Sequence, residues 1–141
     1  MNMLERAVSI ALESHTGQTD KAGKPYILHP LRLMLKMGTD EEMIAAVLHD
    51  VVEDSSVTFE ELKSQGFSDN VIDALMSCTK INGENYDDFI QRIKGNQNPL
   101  AIRVKIADLQ DNMDISRIAH PVQKDFDRVE KYKRALKVLL S

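Results

Sequence analysis

DEEMIAAVLHDVVED, residues 40–54, opens on three acids, runs apolar from Met43 to Leu48, and then turns ionisable at four of its last six positions. Acidic residues suit the positive end of a helix, and Thr39 or Asp40 can cap it. The apolar run does not alternate, so the stretch reads as helix rather than half-buried strand. The spacing predicts that this helix continues through His49 and Asp50 to Asp54.

The flanking segments read the same way. Residues 3–15 place Leu4, Ala7, Val8, Ala11, Leu12 and His15 at three- and four-residue spacing on one face. Residues 16–28 form a loop punctuated by Gly17, Gly23 and Pro25. Pro30 suits the first turn of a helix carrying Leu31, Leu33, Met34 and Leu35. Ser56 to Thr58 look like the cap of a further helix, Ser68 or Asp69 caps the next, and NGEN (82–85) is a turn. A helix from about Tyr86 to Ile93 and a loop GNQNP follow, then a long helix over 100–118. His120-Pro121 breaks the chain before a last helix, about 122–140, expected to bury Phe126, Val129, Leu136, Val138 and Leu139. Met34, Met37, Met43, Met76 and Met113 fall at helical spacings as core filler. The expectation is an all-α bundle forming one domain over residues 1–141.

A length of 141 residues suits one core. Cys78 is the single cysteine, which excludes an internal disulfide and a cysteine-rich zinc site. It reads as an inert core thiol. The net charge of −4 argues against a nucleic-acid coat or an anionic membrane partner, both of which want a basic face. No apolar run approaches the roughly 20 residues that span a bilayer. The first 15 residues, with Glu5 and Glu13 around their apolar stretch, do not read as a secretory leader, so a cytoplasmic location is expected. Oligomeric state is left open.

The chemistry concentrates in HDVVED (49–54). Successive residues of a helix sit about 100° apart, so His49 and Asp50 can flank one ion lying against it. Glu53 and Asp54 stand one turn further along the same faces. There they suit work on a water molecule rather than on the ion. A solvated helix end is the plainer alternative. Two more ligands have to come from elsewhere. His29 precedes Pro30 at a helix start, where a loop histidine taken alone is more often structural. Asp108 sits among Val104, Ile106, Ala107 and Leu109, where an unpaired carboxylate costs several kcal/mol. It therefore wants a cation, a donor network, or an ion pair such as one with Lys105. First-row divalent metals accept mixed imidazole and carboxylate sets.

Four ordered blocks carry a resemblance: HTGQTDKAGKPYILHP (15–30), AAVLHDVVEDSSVTFEEL (45–62), SCTK (77–80) and VKIADLQDNM (104–113). The chain resembles the HD hydrolase domain of RelA/SpoT-type alarmone enzymes, and especially the small stand-alone alarmone hydrolases, most strongly over 5–118. The resemblance implies a single manganese ion held by His29, His49, Asp50 and Asp108, with Glu53 and Asp54 acting on the attacking water. It implies substrate contacts from Asn112 and, through a looser match in RVEKY, from Arg128 and Tyr132. Lys21, with Arg128, would offset phosphate charge. The implied reaction is release of pyrophosphate from the 3′ position of a guanosine tetraphosphate-like nucleotide. The family's larger members add a synthetase domain that 141 residues cannot hold.

One position departs from the pattern. Asp20 stands where the family has an arginine associated with stacking on the guanine base, and a carboxylate cannot stack. The sequence therefore leaves two other readings open: hydrolysis of another nucleotide phosphate, such as an adenine alarmone or the 2′-phosphate of NADPH, and a non-catalytic nucleotide-binding module. His15 reads as a core or supporting histidine, and His120 as structural.

Overall fold

A computed structural model describes all residues, Met1–Ser141. It is helical throughout: α1 Met3–His15, α2 Leu28–Leu35, α3 Asp40–Leu48, α4 Val51–Asp54, α5 Phe59–Ser64, α6 Asp69–Ser77, α7 Tyr86–Asn96, α8 Pro99–Asn112 and α9 Gln123–Leu140, with a 3₁₀ turn at Ile115–Arg117. No helix is long and apolar enough to cross a membrane.

Helix α3 is the axis of the bundle. A capping box between Thr39 and Glu42 starts it, and Ile44 to Leu48 are all buried. Burial on every side marks a central helix rather than a surface one. It packs against α1, α2, α6 and α8. α1 approaches closely because its buried stripe is small: Ala7, Ala11 and then His15. Leu12 falls off that stripe and is 54% exposed, a correction to the expected face. Two apolar clusters result. One joins α3 to α1, α4, α5 and α6, and the other joins it to α2, α6, α7, α8 and α9. The ionisable residues gather between them. Leu33, fully buried one turn beyond His29 on α2, belongs to the second cluster. Leu33→Ala is expected to cost about 2–5 kcal/mol. Urea unfolding measures this, and a loss below about 1 kcal/mol would contradict the packing described.

Several boundaries differ from expectation for local reasons. The helix of residues 40–54 is broken at His49-Asp50, and Asp50 takes φ −107° and ψ 1°. The His49 Nδ1–H donates to the Ala46 carbonyl at 2.8 Å, taking an oxygen at the helix end. α7 runs on to Asn96, so the loop before α8 shrinks to left-handed Gln97 (φ 53°) and the cap Asn98. α8 stops at Asn112 rather than 118, because the Asp114 side chain accepts from the Ser116 N–H and starts a new turn. On α9 the buried apolar residues are Ala135 and Leu139, while Phe126 is 46% exposed. The C-terminal half of α9 meets the core, while Arg128 and Tyr132 nearer its start line a cavity. Met76 is exposed rather than core filler.

Candidate functional site

Three elements deliver the ionisable cluster. His29 comes from the first turn of α2, His49 and Asp50 from the break between α3 and α4, and Asp108 from the middle of α8. One ligand-type atom from each lies within 4.8 Å of all the others. His29 Nε2 is 2.9 Å from Asp108 Oδ1 and 3.9 Å from Asp50 Oδ2. His49 Nε2 is 2.9 Å from Asp50 Oδ2 and 3.4 Å from Asp108 Oδ1. Both imidazoles and Asp108 are buried.

The tautomers test whether this set fits a cation. Asp111 Oδ2 faces His29 Nδ1 at 2.6 Å and the Ala46 carbonyl faces His49 Nδ1 at 2.8 Å. Both partners only accept, so each Nδ1 carries a proton and each ring turns its Nε2 inward, the nitrogen free to take a proton or a metal ion. Nε2 of His49 is buried and meets hydrogen-bond geometry with no neighbour. Lone pairs on two nitrogens and two carboxylates thus point at one another, which demands positive charge at the centre. Without a metal that charge is a proton: burial presses His49 down, but Asp50 and Asp108 outweigh it and raise the ring well above its usual range. Conversely, Asp108 is held well below the carboxylate range, with Lys105, His29 and His49 overcoming its burial. The four side chains therefore suit one divalent cation.

Neighbouring groups fix the ligands. Lys105 Nζ donates to Asp108 Oδ2 at 2.8 Å, and Asn112 Nδ2 donates to Asp108 Oδ1 at 2.9 Å. The ion pair expected as the plainer account of Asp108 thus exists, yet it occupies the oxygen turned away from the histidines. The Tyr26 hydroxyl donates to Asp50 Oδ2. Its ring lies between His15 and His29, with centroids 4.9 and 5.6 Å away. His15 is buried and donates from Nδ1 to Gln18 Oε1 at 2.8 Å, and Gln18 Nε2 donates to the Asp54 carbonyl at 3.0 Å. Gln18 thereby ties the 16–28 loop to α4.

A cavity of about 350 Å³ opens beside His29. Lys21, Asn112, Arg128 and Tyr132, the expected substrate contacts, all line it. Arg128 is held by Asp125 at 2.7 Å. Asp20 also lines the cavity, but its Oδ1 accepts from the Ala22 and Lys24 N–H groups at 2.9 Å each. Its carboxylate shapes the loop, in which Gly23 adopts φ +78°. Glu53 and Asp54 are exposed and make no side-chain hydrogen bond. Glu53 lines an adjoining groove with Thr79 and Lys80 rather than the cavity itself. Burial and then Asp50 push the Glu53 carboxyl up, and burial, Asp50 and Glu53 push Asp54 up to about 6.

Sequence reading gave no role to Tyr26, Arg32 or Asp111. The signal was available as spacing: His29 with Arg32, and Asp108 with Asp111, are i, i+3 pairs on facing helices. The family model described as the HD domain matches residues 7–102. This chain belongs to the HD domain family. The matched span of the HD domain holds His29, His49, Asp50, Glu53 and Asp54, while Asp108 and Asn112 lie beyond it. The HD domain is 38% identical over 122 residues to guanosine-3′,5′-bis(diphosphate) 3′-pyrophosphohydrolase of Aquifex aeolicus, covering 78% of this chain and 17% of that one. It is 31% identical over 125 residues to the bifunctional (p)ppGpp synthase/hydrolase SpoT of Escherichia coli, again covering 78% and 17%. The chain therefore spans about a sixth of the length of these relatives. A solved structure described as a metazoan ortholog of SpoT that hydrolyzes ppGpp shares the fold, with a TM-score of 0.81 at 19% identity over 99% of this chain and 86% of that one.

Proposed function

We propose that residues 1–141 act as one HD phosphohydrolase unit, located in the cytoplasm, that releases pyrophosphate from the 3′ position of a guanosine tetraphosphate-like alarmone. His29, His49, Asp50 and Asp108 would hold a single manganese ion. The observation that carries this reading is the inward convergence of two imidazole nitrogens and two carboxylates next to a cavity whose lining includes Lys21 and Arg128. The likeness to pyrophosphohydrolases supports the substrate class.

A divalent cation at that point supplies Lewis acidity toward a phosphoryl oxygen and lowers the pKa of water. The chain's own groups do the rest. Glu53, its carboxyl raised by burial and by Asp50, takes the proton of the attacking water, and Asp54 beside it orients that water. The nucleoside occupies the cavity, and the phosphates reach across the ligand cluster toward the groove of Glu53 and Lys80. Lys21 and Arg128 offset phosphate charge. Asn112 keeps its amide donor on Asp108, which leaves its carbonyl for a sugar hydroxyl. Tyr132 closes the rim.

The loop favours a second substrate reading. Asp20 presents no planar cation to a base, so an adenine alarmone or an NADPH-like 2′-phosphate fits the same chemistry. A panel of these nucleotides with equal manganese, scored for released pyrophosphate or phosphate, separates the two. Release is expected to stop with a chelator and to return with added manganese. Tight binding of every nucleotide with no turnover would overturn catalysis and leave a binding module.

A further inference from the structure

Asp111 is 3% exposed, yet it is not among the four groups that converge on the cation position. Its Oδ2 accepts from His29 Nδ1–H at 2.6 Å. Arg32 grips the same carboxylate from the side, Nε on Oδ1 and Nη2 on Oδ2, both at 2.9 Å. Arg117 donates from Nη2 to the Asp111 main-chain carbonyl at 2.8 Å and approaches Oδ2 at 3.4 Å. With both oxygens held by His29 and Arg32, and outside the set that converges on the cation position, this carboxylate is placed to support a ligand rather than to be one. It acts on His29 instead.

We propose that Asp111 is a positioning residue for the cation: it fixes His29 in the Nδ1–H tautomer, orients the ring, and makes Nε2 the more basic donor. The Arg32–Arg117 pair holds Asp111 ionised and in place. This rests on the metal-dependent reading above. An acceptor on the far nitrogen of a ligating imidazole raises ligand basicity, and its loss typically lowers metal affinity about 10–100-fold. A purely structural anchor for two arginines would serve from either face of α8. The short contact to the face of His29 that lies opposite Asp108 is what a supporting partner needs. His29 also lines the cavity, so its ring plane is shared between ion and substrate.

Calorimetric titration of manganese into the wild-type protein and Asp111→Asn tests this without any substrate. The amide keeps the size of the side chain but loses the charge. The expected result is a folded variant, by circular dichroism, with affinity lower by about 10–100-fold. A folded variant that binds manganese within about twofold of wild type overturns the proposal alone. A wild-type protein that takes up no divalent cation overturns it together with the proposed function. Should the variant not fold, ¹⁵N-histidine NMR of the wild type loaded with zinc, a diamagnetic divalent cation, decides. A proton on His29 Nδ1 with the ion on Nε2 supports the proposal, and an unprotonated Nδ1 sinks it.

Discussion

Asp50→Ala is expected to lose stoichiometric manganese and turnover together. Asp50 Oδ2 is the oxygen that faces both imidazoles, 2.9 Å from His49 Nε2 and 3.9 Å from His29 Nε2. Without it the set falls to three donors from three separate elements. Cation stabilisation of a phosphoryl transition state is worth several kcal/mol, so the rate is expected to fall on the order of 10³-fold or more. The fold should survive, because Asp50 makes no capping bond to α4 and sits at a break already. Metal analysis of the gel-filtered variant, beside pyrophosphate release and circular dichroism, gives the answer. A variant that still carries one ion per chain removes Asp50 from the ligand set.

Glu53→Ala separates chemistry from metal. Glu53 is exposed, bonds to nothing, and touches none of the four converging atoms, so manganese affinity should stay within about twofold. Turnover should fall by about 10²–10⁴, the usual contribution of a positioned acid or base. Single-turnover rates at saturating manganese measure it. If the variant keeps wild-type turnover, the proton goes elsewhere, and Asp54→Ala becomes the variant to examine.

The all-helical class was legible because apolar residues recur at helical spacing in most segments, and the caps Thr39, Thr58 and Ser68 are where their side chains suggested. The HD pair was legible too, although for an incomplete reason. Periodicity carried the helix straight through His49-Asp50, whereas the chain breaks there. That break, not the 100° step of a continuous helix, brings His49 Nε2 within 2.9 Å of Asp50. A side-chain bond to a helix-end carbonyl leaves no trace in a hydropathy pattern. The cavity was visible only through resemblance, since Lys21, Asn112, Arg128 and Tyr132 share no local spacing. Asp111 and Arg32 escaped notice because each looks like an ordinary solvated charge on its own helix. Their pairing spans 79 positions of sequence and appears only when α2 and α8 meet. Phe126 shows the converse error, an aromatic at core spacing that is left 46% exposed.

Helix α8 carries Lys105, Asp108, Asp111 and Asn112 within eight residues, and each bonds to the His29–Asp108 pair or belongs to it. Their azimuths share one origin, the start defined by Asn98 and Pro99. One residue added or removed between that start and Lys105 swings every later side chain by about 100°, emptying the whole wall at once. Chain length in this stretch is therefore itself part of the site.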